Sequence, residues 1–177
     1  PICKKIKDIK CVICGAGSAG LSTARMLIRL GLDKKKLIIA DSKGVITTSR
    51  TDIDKYKKEF ATERDIESLD DAMKGADVFI GLSKGNLLKD ENITSMAENP
   101  IVFALANPVP EIDYSKAKNI RPDAIVATGL SNHPNQINNV LAFPYLFRGA
   151  LDTLSTTIND EMLIAASHAI AGIARKY

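Results

Sequence analysis

Lys10-Cys11-Val12-Ile13-Cys14-Gly15-Ala16-Gly17-Ser18-Ala19-Gly20 is the stretch on which the fold turns. An apolar run of strand length passes directly into a glycine pattern that opens a helix. Gly15 permits a tight turn, Gly17 leaves no Cβ in the way of a group approaching the backbone, and Gly20 lets the helix lie close on its strand. Leu21, Ala24, Leu27, Ile28 and Leu30 then recur at near-helical spacing until Gly31 stops them. The helix therefore turns its free N–H groups, those of Ser18 and Ala19 among them, and its positive dipole end toward the glycines. An anion belongs there.

A glycine turn by itself also arises for packing reasons. Here a second buried-type strand, Leu37-Ile38-Ile39-Ala40, follows and ends in Asp41, roughly 20 residues beyond Gly20, where a carboxylate would accept hydrogen bonds from a ribose. A strand, a turn, a helix, a strand and an acid in one such unit point to a dinucleotide. Gly15, Gly17, Ser18, Ala19 and Gly20 are then expected at the pyrophosphate and Asp41 at the adenine ribose, against a reading in which Asp41 merely ends a strand. The acid favours NAD, because its charge repels the 2′-phosphate of NADP. Lys43 and Arg50 follow closely enough to accept that phosphate instead, which keeps NADP open.

The chain of 177 residues, 45% hydrophobic, fits one soluble domain of ordinary size with a real core, and residues 1–177 are expected to form a single dinucleotide-binding domain. Its 24 basic and 21 acidic residues, net +3, are mixed along the chain, so neither a nucleic acid nor an anionic membrane is implied as a partner. Lys34-Lys35-Lys36 reads as a solvated turn. No apolar run is long enough to span a bilayer, and residues 1–9 carry charges without the apolar core of a secretory signal. Cys11 and Cys14 form a C-x-x-C, but positions three apart on a strand face opposite ways, so their sulfurs cannot converge on a metal or a disulfide. With Cys3 they read as small apolar residues in a reducing cytoplasm.

Beyond Asp41, Val45–Thr48 suits a short extra strand, and residues 49–65 form a charged excursion anchored by Tyr56 and Phe60. Ser68 caps a short acidic-start helix running to Gly75. Val78-Phe79-Ile80-Gly81 is a strand whose following loop, Leu82-Ser83-Lys84-Gly85-Asn86, is expected near the nicotinamide half of the cofactor, because ligands collect at the carboxyl ends of strands in a doubly wound sheet. On spacing alone a plain turn fits that loop as well. A short helix over 90–97 leads to the strand Ile101–Leu105 and then to Asn107-Pro108. The asparagine is biased to extended backbone before proline, and its amide can orient a carboxylate or a carboxamide without adding charge, although an Asn-Pro turn needs no such role.

Ala124–Ala127 is a fifth strand, followed by a run dense in amides: Asn132, Asn135, Gln136, Asn138 and Asn139. Asn138 and Asn139 are expected to begin a helix, where asparagine is often only a cap. The tail is the most regular helix, opening among Thr157, Asn159, Asp160 and Glu161, with Met162, Ala165, Ala166, Ala169, Ile170 and Ile173 on one face. His168 on it reads as structural. The elements together predict an α/β fold, a Rossmann-like doubly wound and mainly parallel sheet of five or six strands with helices on both faces.

GAGSAG, IIADSKGVI, GADVFIGLS, FALANPVPE, VATG, PNQINNVLAFP, FRGALD and TTINDEM follow one another in this order. Together they resemble the cofactor domain of the prokaryotic-type malic enzymes from about Lys5 to Ala174. The resemblance implies oxidative decarboxylation of malate to pyruvate with NAD or NADP and with Mg²⁺ or Mn²⁺, and homo-oligomerisation. It implies substrate contacts for Asn107 and for one of Asn138 and Asn139. The chain departs from the family at Leu130, Asn132 and His133, where members carry an arginine, an acid and an aromatic, and at Ala142, where they carry glycine.

Family members place a tyrosine proton donor, a lysine base and carboxylate metal ligands upstream of the glycine turn. No converging set of acids is legible in 1–177, and nothing around Lys84 suggests a base. The expectation is therefore a chain with no catalytic residue and no metal ligand of its own, completed by an upstream domain. Rival readings are a non-catalytic nucleotide-binding or regulatory module, and a different dehydrogenase on the same cofactor fold.

Overall fold

In the computed structural model, which describes residues 4–138 and 140–176, β1 (Cys11–Cys14) lies inside a six-stranded sheet. The chain passes through α1 (Ser18–Arg29), β2 (Leu37–Asp41) and β3 (Gly44–Val45), then α2 (Lys55–Lys58), α3 (Leu69–Met73) and β4 (Val78–Gly81). There follow α4 (Asp90–Thr94), β5 (Ile101–Ala104), α5 (Tyr114–Ile120), β6 (Ile125–Thr128), α6 (Tyr145–Asp152) and α7 (Asp160–Ala174). The strand order is β3-β2-β1-β4-β5-β6, parallel throughout except for the β2–β3 pair. The sheet reverses direction between β1 and β4, which is where open α/β sheets hold ligands.

Two cores cover the two faces. Val12, Cys14, Ile38, Phe79, Val102 and Val126 point to one, where Met73, Ile93 and Ala117 of α3, α4 and α5 meet them. Cys11, Ile13, Leu37, Ile39 and Ile80 point to the other, against Leu21 and Ala24 of α1 and Phe60 beyond α2. The two-residue alternation of a strand produces this split, and it gives the expected doubly wound fold. Cys11 and Cys14 accordingly lie in different cores.

Several local expectations shift. The strand expected over 45–48 is the shorter antiparallel β3. α5 was not legible in advance: only Ala117 of it is buried, and what starts it is the Asp113 carboxylate accepting from the Lys116 N–H. No helix begins at Asn138, whose side chain instead accepts from the Val140 N–H at 2.8 Å. α6 opens only at Tyr145, because the residue before Pro144 is sterically turned away from helical backbone.

The chain forms two compact units, Pro1–Ile137 and Asn138–Tyr177. The first holds the sheet. In the second, Asn159 caps α7 by accepting from the Met162 N–H at 3.0 Å, and no residue of α7 is buried. Leu141, Leu146, Met162, Ala166 and Ile170 line an apolar groove between α6 and α7. No helix among the described residues is long and apolar enough to cross a membrane.

Candidate functional site

The parallel register brings Cys14, Ala40, Gly81, Ala104 and Thr128 into line at the carboxyl edge of the sheet. Each strand that ends at this edge leads into residues singled out from sequence, β6 into the amide-rich run. The first loop is the glycine turn. Gly15 holds φ +119°, and a Cβ there would collide with the Leu82 carbonyl oxygen. One at Gly20 would collide with the Gly15 carbonyl oxygen. These two glycines are required by the fold itself.

Gly17 is different. It caps α1 at φ −86°, an angle open to any residue, and a Cβ placed on it meets no atom within 4 Å. Gly17, Ser18 and Ala19 are exposed, no side chain caps the helix, and its first turn holds no acid. By contrast α3, α4 and α7 each carry acids in their first turns. The free N–H groups and dipole of α1 thus face open space beside the sheet edge.

Asp41 ends the neighbouring β2, and its carboxylate is surrounded by cations. Arg50 donates Nη1 to Oδ1 at 2.8 Å and Nη2 to Oδ2 at 3.2 Å, while Lys57 Nζ donates to Oδ2 at 2.9 Å. The Lys43 N–H adds a bond to Oδ1 at 3.0 Å. Burial is the largest influence and pushes the Asp41 pKa up, but the Arg50 and Lys57 bonds, the Lys43 N–H and the Arg50 charge together hold it down at about 2. Arg50 also grips Asp52 through Nε and Nη2, and Lys43 Nζ reaches Asp52 at 2.8 Å. Lys57 was not foreseen, since a contact 16 residues away leaves no local signal.

Ser83 follows β4. Its N–H donates to Glu111 Oε1 at 3.1 Å, and its hydroxyl reaches the Cys14 sulfur at 3.6 Å. Asn107 follows β5, exposed, and a Cβ at Gly129 would lie 3.6 Å from its Nδ2. Glu111, quoted in a motif but given no role from sequence, is fully buried and takes the Ala106 N–H on Oε2 at 3.1 Å. Its burial beneath two loops is a tertiary fact that no local pattern announces.

The amide-rich run is mostly structural where described. Asn135 Nδ2 donates to the Val126 carbonyl at 3.2 Å, and Gln136 Nε2 to that of Gly129 at 3.3 Å. His133 stacks on Tyr114 with ring centroids 4.9 Å apart. Asn138 belongs to the second unit, and Asn139 lies outside the described residues. Among the described residues no three His, Cys, Asp or Glu side chains converge to hold a metal ion.

A family model for the malic enzyme NAD-binding domain matches residues 2–177. The chain is 47% identical over 173 residues to an NADP-dependent malic enzyme of Halomonas elongata, covering 98% of this chain and 41% of that protein. It is equally 47% identical over 174 residues to an NAD-dependent malic enzyme of Rhizobium meliloti, covering 98% of this chain and 23% of that protein. The crystal structure of Entamoeba histolytica malic enzyme superposes with a TM-score of 0.91 at 42% identity, covering 98% of this chain and 37% of that one. The chain thus spans less than half the length of these relatives.

Proposed function

The chain belongs to the malic enzyme family as its NAD-binding domain, and from that premise we propose that it binds NAD or NADP across the carboxyl edge of its sheet for the oxidative decarboxylation of malate. The observation that carries this reading is Gly17. The fold has room for a side chain there and the sequence supplies none, which leaves the end of α1 open to a pyrophosphate.

Gly15 and Gly20 set the turn, and Gly17, Ser18 and Ala19 receive the pyrophosphate. Asp41 lies at the adenine ribose. Its negative charge favours NAD, whereas Arg50 and Lys57 on its carboxylate, with the Lys43 ammonium on the neighbouring Asp52, support NADP as the second reading. At the other end Ser83 borders the nicotinamide. The Asn107 amide donates to a carboxylate or carboxamide oxygen, and the family resemblance assigns a malate contact to Asn138 or Asn139. When bound, the nicotinamide supplies the acceptor for the two electrons and one proton leaving malate C2. The overall change is malate and NAD(P)⁺ to pyruvate, carbon dioxide and NAD(P)H.

This chain contributes binding and orientation. The base, proton donor and metal ligands come from an upstream domain, and the whole assembles as a homo-oligomer in the cytoplasm. The exposed apolar side chains of Leu151, Leu154 and Ile173 support further protein packing against the second unit. Adding a separately produced upstream domain tests the reading: malate-dependent NAD(P) reduction is expected to return. Nucleotide binding without any return of activity would favour the stand-alone regulatory module.

A further inference from the structure

We infer that Glu111 is a positioning residue, which holds the Ser83 and Asn107 loops together at the nicotinamide end of the site. The inference rests on the cofactor reading above, although the contacts behind it do not.

Glu111 is fully buried, yet no described cation pairs with it. The buried Asp77 makes the contrast, since it is met by Lys4 Nζ at 2.6 Å. An acid buried without a counter-charge is costly, and an apolar residue of the same size would fill the space more cheaply. What Glu111 has instead is one backbone N–H on each carboxyl oxygen: Ser83 on Oε1 and Ala106 on Oε2, both at 3.1 Å. Those donors sit where β4 and β5 have just ended, beyond the last paired residues Gly81 and Ala104. An apolar side chain would leave both unpaired.

The backbone around Glu111 extends the same tie. Its own carbonyl accepts from the Leu88 N–H, and that of Pro110 from the Asn86 N–H, both at 3.0 Å. Loop 82–88 is thereby fastened to loop 105–111 at both ends, with the Glu111 side chain as the innermost fastening. Ser83 carries one anchored amide, and Asn107 follows the other by one residue. Their side chains are the groups that would meet the nicotinamide ring, its carboxamide or the substrate carboxylate, so a shift in either loop is felt at that end and not at the adenosine end.

Two variants of the full chain test this. Glu111→Gln keeps the size and one acceptor but turns an amide NH₂ toward a backbone N–H. Glu111→Asp keeps both oxygens and shortens the reach. Each is titrated calorimetrically with NAD and with ADP-ribose, which lacks the nicotinamide, and amide hydrogen exchange is followed at Ser83 and Ala106. The expected result in both variants is NAD binding weakened about tenfold, the scale of one lost hydrogen bond to an acidic group, with ADP-ribose binding within twofold of wild type. Ser83 and Ala106 should exchange faster while the amides of β1 and β2 do not change. Equal weakening of both ligands, or unchanged NAD affinity, would overturn the inference. A wild-type chain that binds neither ligand would overturn the cofactor reading instead, and slow exchange at Ser83 and Ala106 in both variants would then still show that Glu111 holds neither loop.

Discussion

A Cβ at Gly81 would stand 2.5 Å from each carboxyl oxygen of Glu111, so the last residue of β4 has to be glycine for the acid to reach the amides of Ser83 and Ala106. The requirement is one of space and not of backbone angle, since Gly81 is a paired strand residue and is not among the glycines of positive φ. Gly81→Ala is expected to lower the stability of the chain by about 2 kcal/mol, the usual cost of overfilling a packed interior. Gly149 in α6 has no atom within 4 Å of an added Cβ, and Gly149→Ala should stabilise by about 0.5–1 kcal/mol through helix propensity. Urea unfolding curves of the two variants check both signs.

Asp41 supplies a pH signature. Its pKa is held at about 2 against an ordinary 3.8, so the unfolded chain binds the proton more tightly than the folded one. The contribution to stability is complete above pH 3.8 and is lost as the pH falls toward 2. Its size follows from the shift, about 2 kcal/mol at most. The stability difference between wild type and Asp41→Asn should therefore be constant near neutrality and shrink below pH 4. A difference unchanged down to pH 2 would show that the Arg50 and Lys57 contacts do not stabilise the charged form.

The cysteines offer a check on the two cores. Burial pushes the Cys11 thiol up to about 12, and it also raises that of Cys14 against the opposing effect of the Ser83 hydroxyl. Both are buried free thiols. In a Cys3→Ser background, a chromogenic disulfide reagent at pH 8 should find no reactive thiol in the folded chain and two after denaturation. Rapid reaction of the native protein would contradict the placement of the C-x-x-C inside the sheet.

The glycine turn, the strand ends and the doubly wound architecture were legible because they depend on local pattern: apolar runs of strand length, a glycine at each steric pinch, an acid at a fixed remove. What stayed hidden depends on distance in the chain. Lys57 reaches Asp41 from within the charged excursion, and the Glu111 carboxylate is buried against the amides of Ser83 and Ala106, which meet only in three dimensions. α5 escaped notice because its single buried residue, Ala117, leaves no periodic stripe. Asn138 looks in sequence like a helix cap, yet its side chain closes a turn onto the Val140 N–H and α6 starts only at Tyr145. Asn135 and Gln136 show the limit of composition, since an amide spent on a backbone carbonyl looks the same in sequence as one offered to a ligand.

Calorimetric titration of the wild-type chain and of Gly17→Asp with NAD and with NADP tests whether the end of α1 receives the pyrophosphate. The new side chain enters open space and is a good helix N-cap, so the variant should melt at or slightly above the wild-type temperature. Its carboxylate occupies the place claimed for the pyrophosphate. Wild type is expected to bind at least one nucleotide, and Gly17→Asp, fully folded, to bind neither. Undiminished binding by the variant, or no binding by wild type, would contradict that placement.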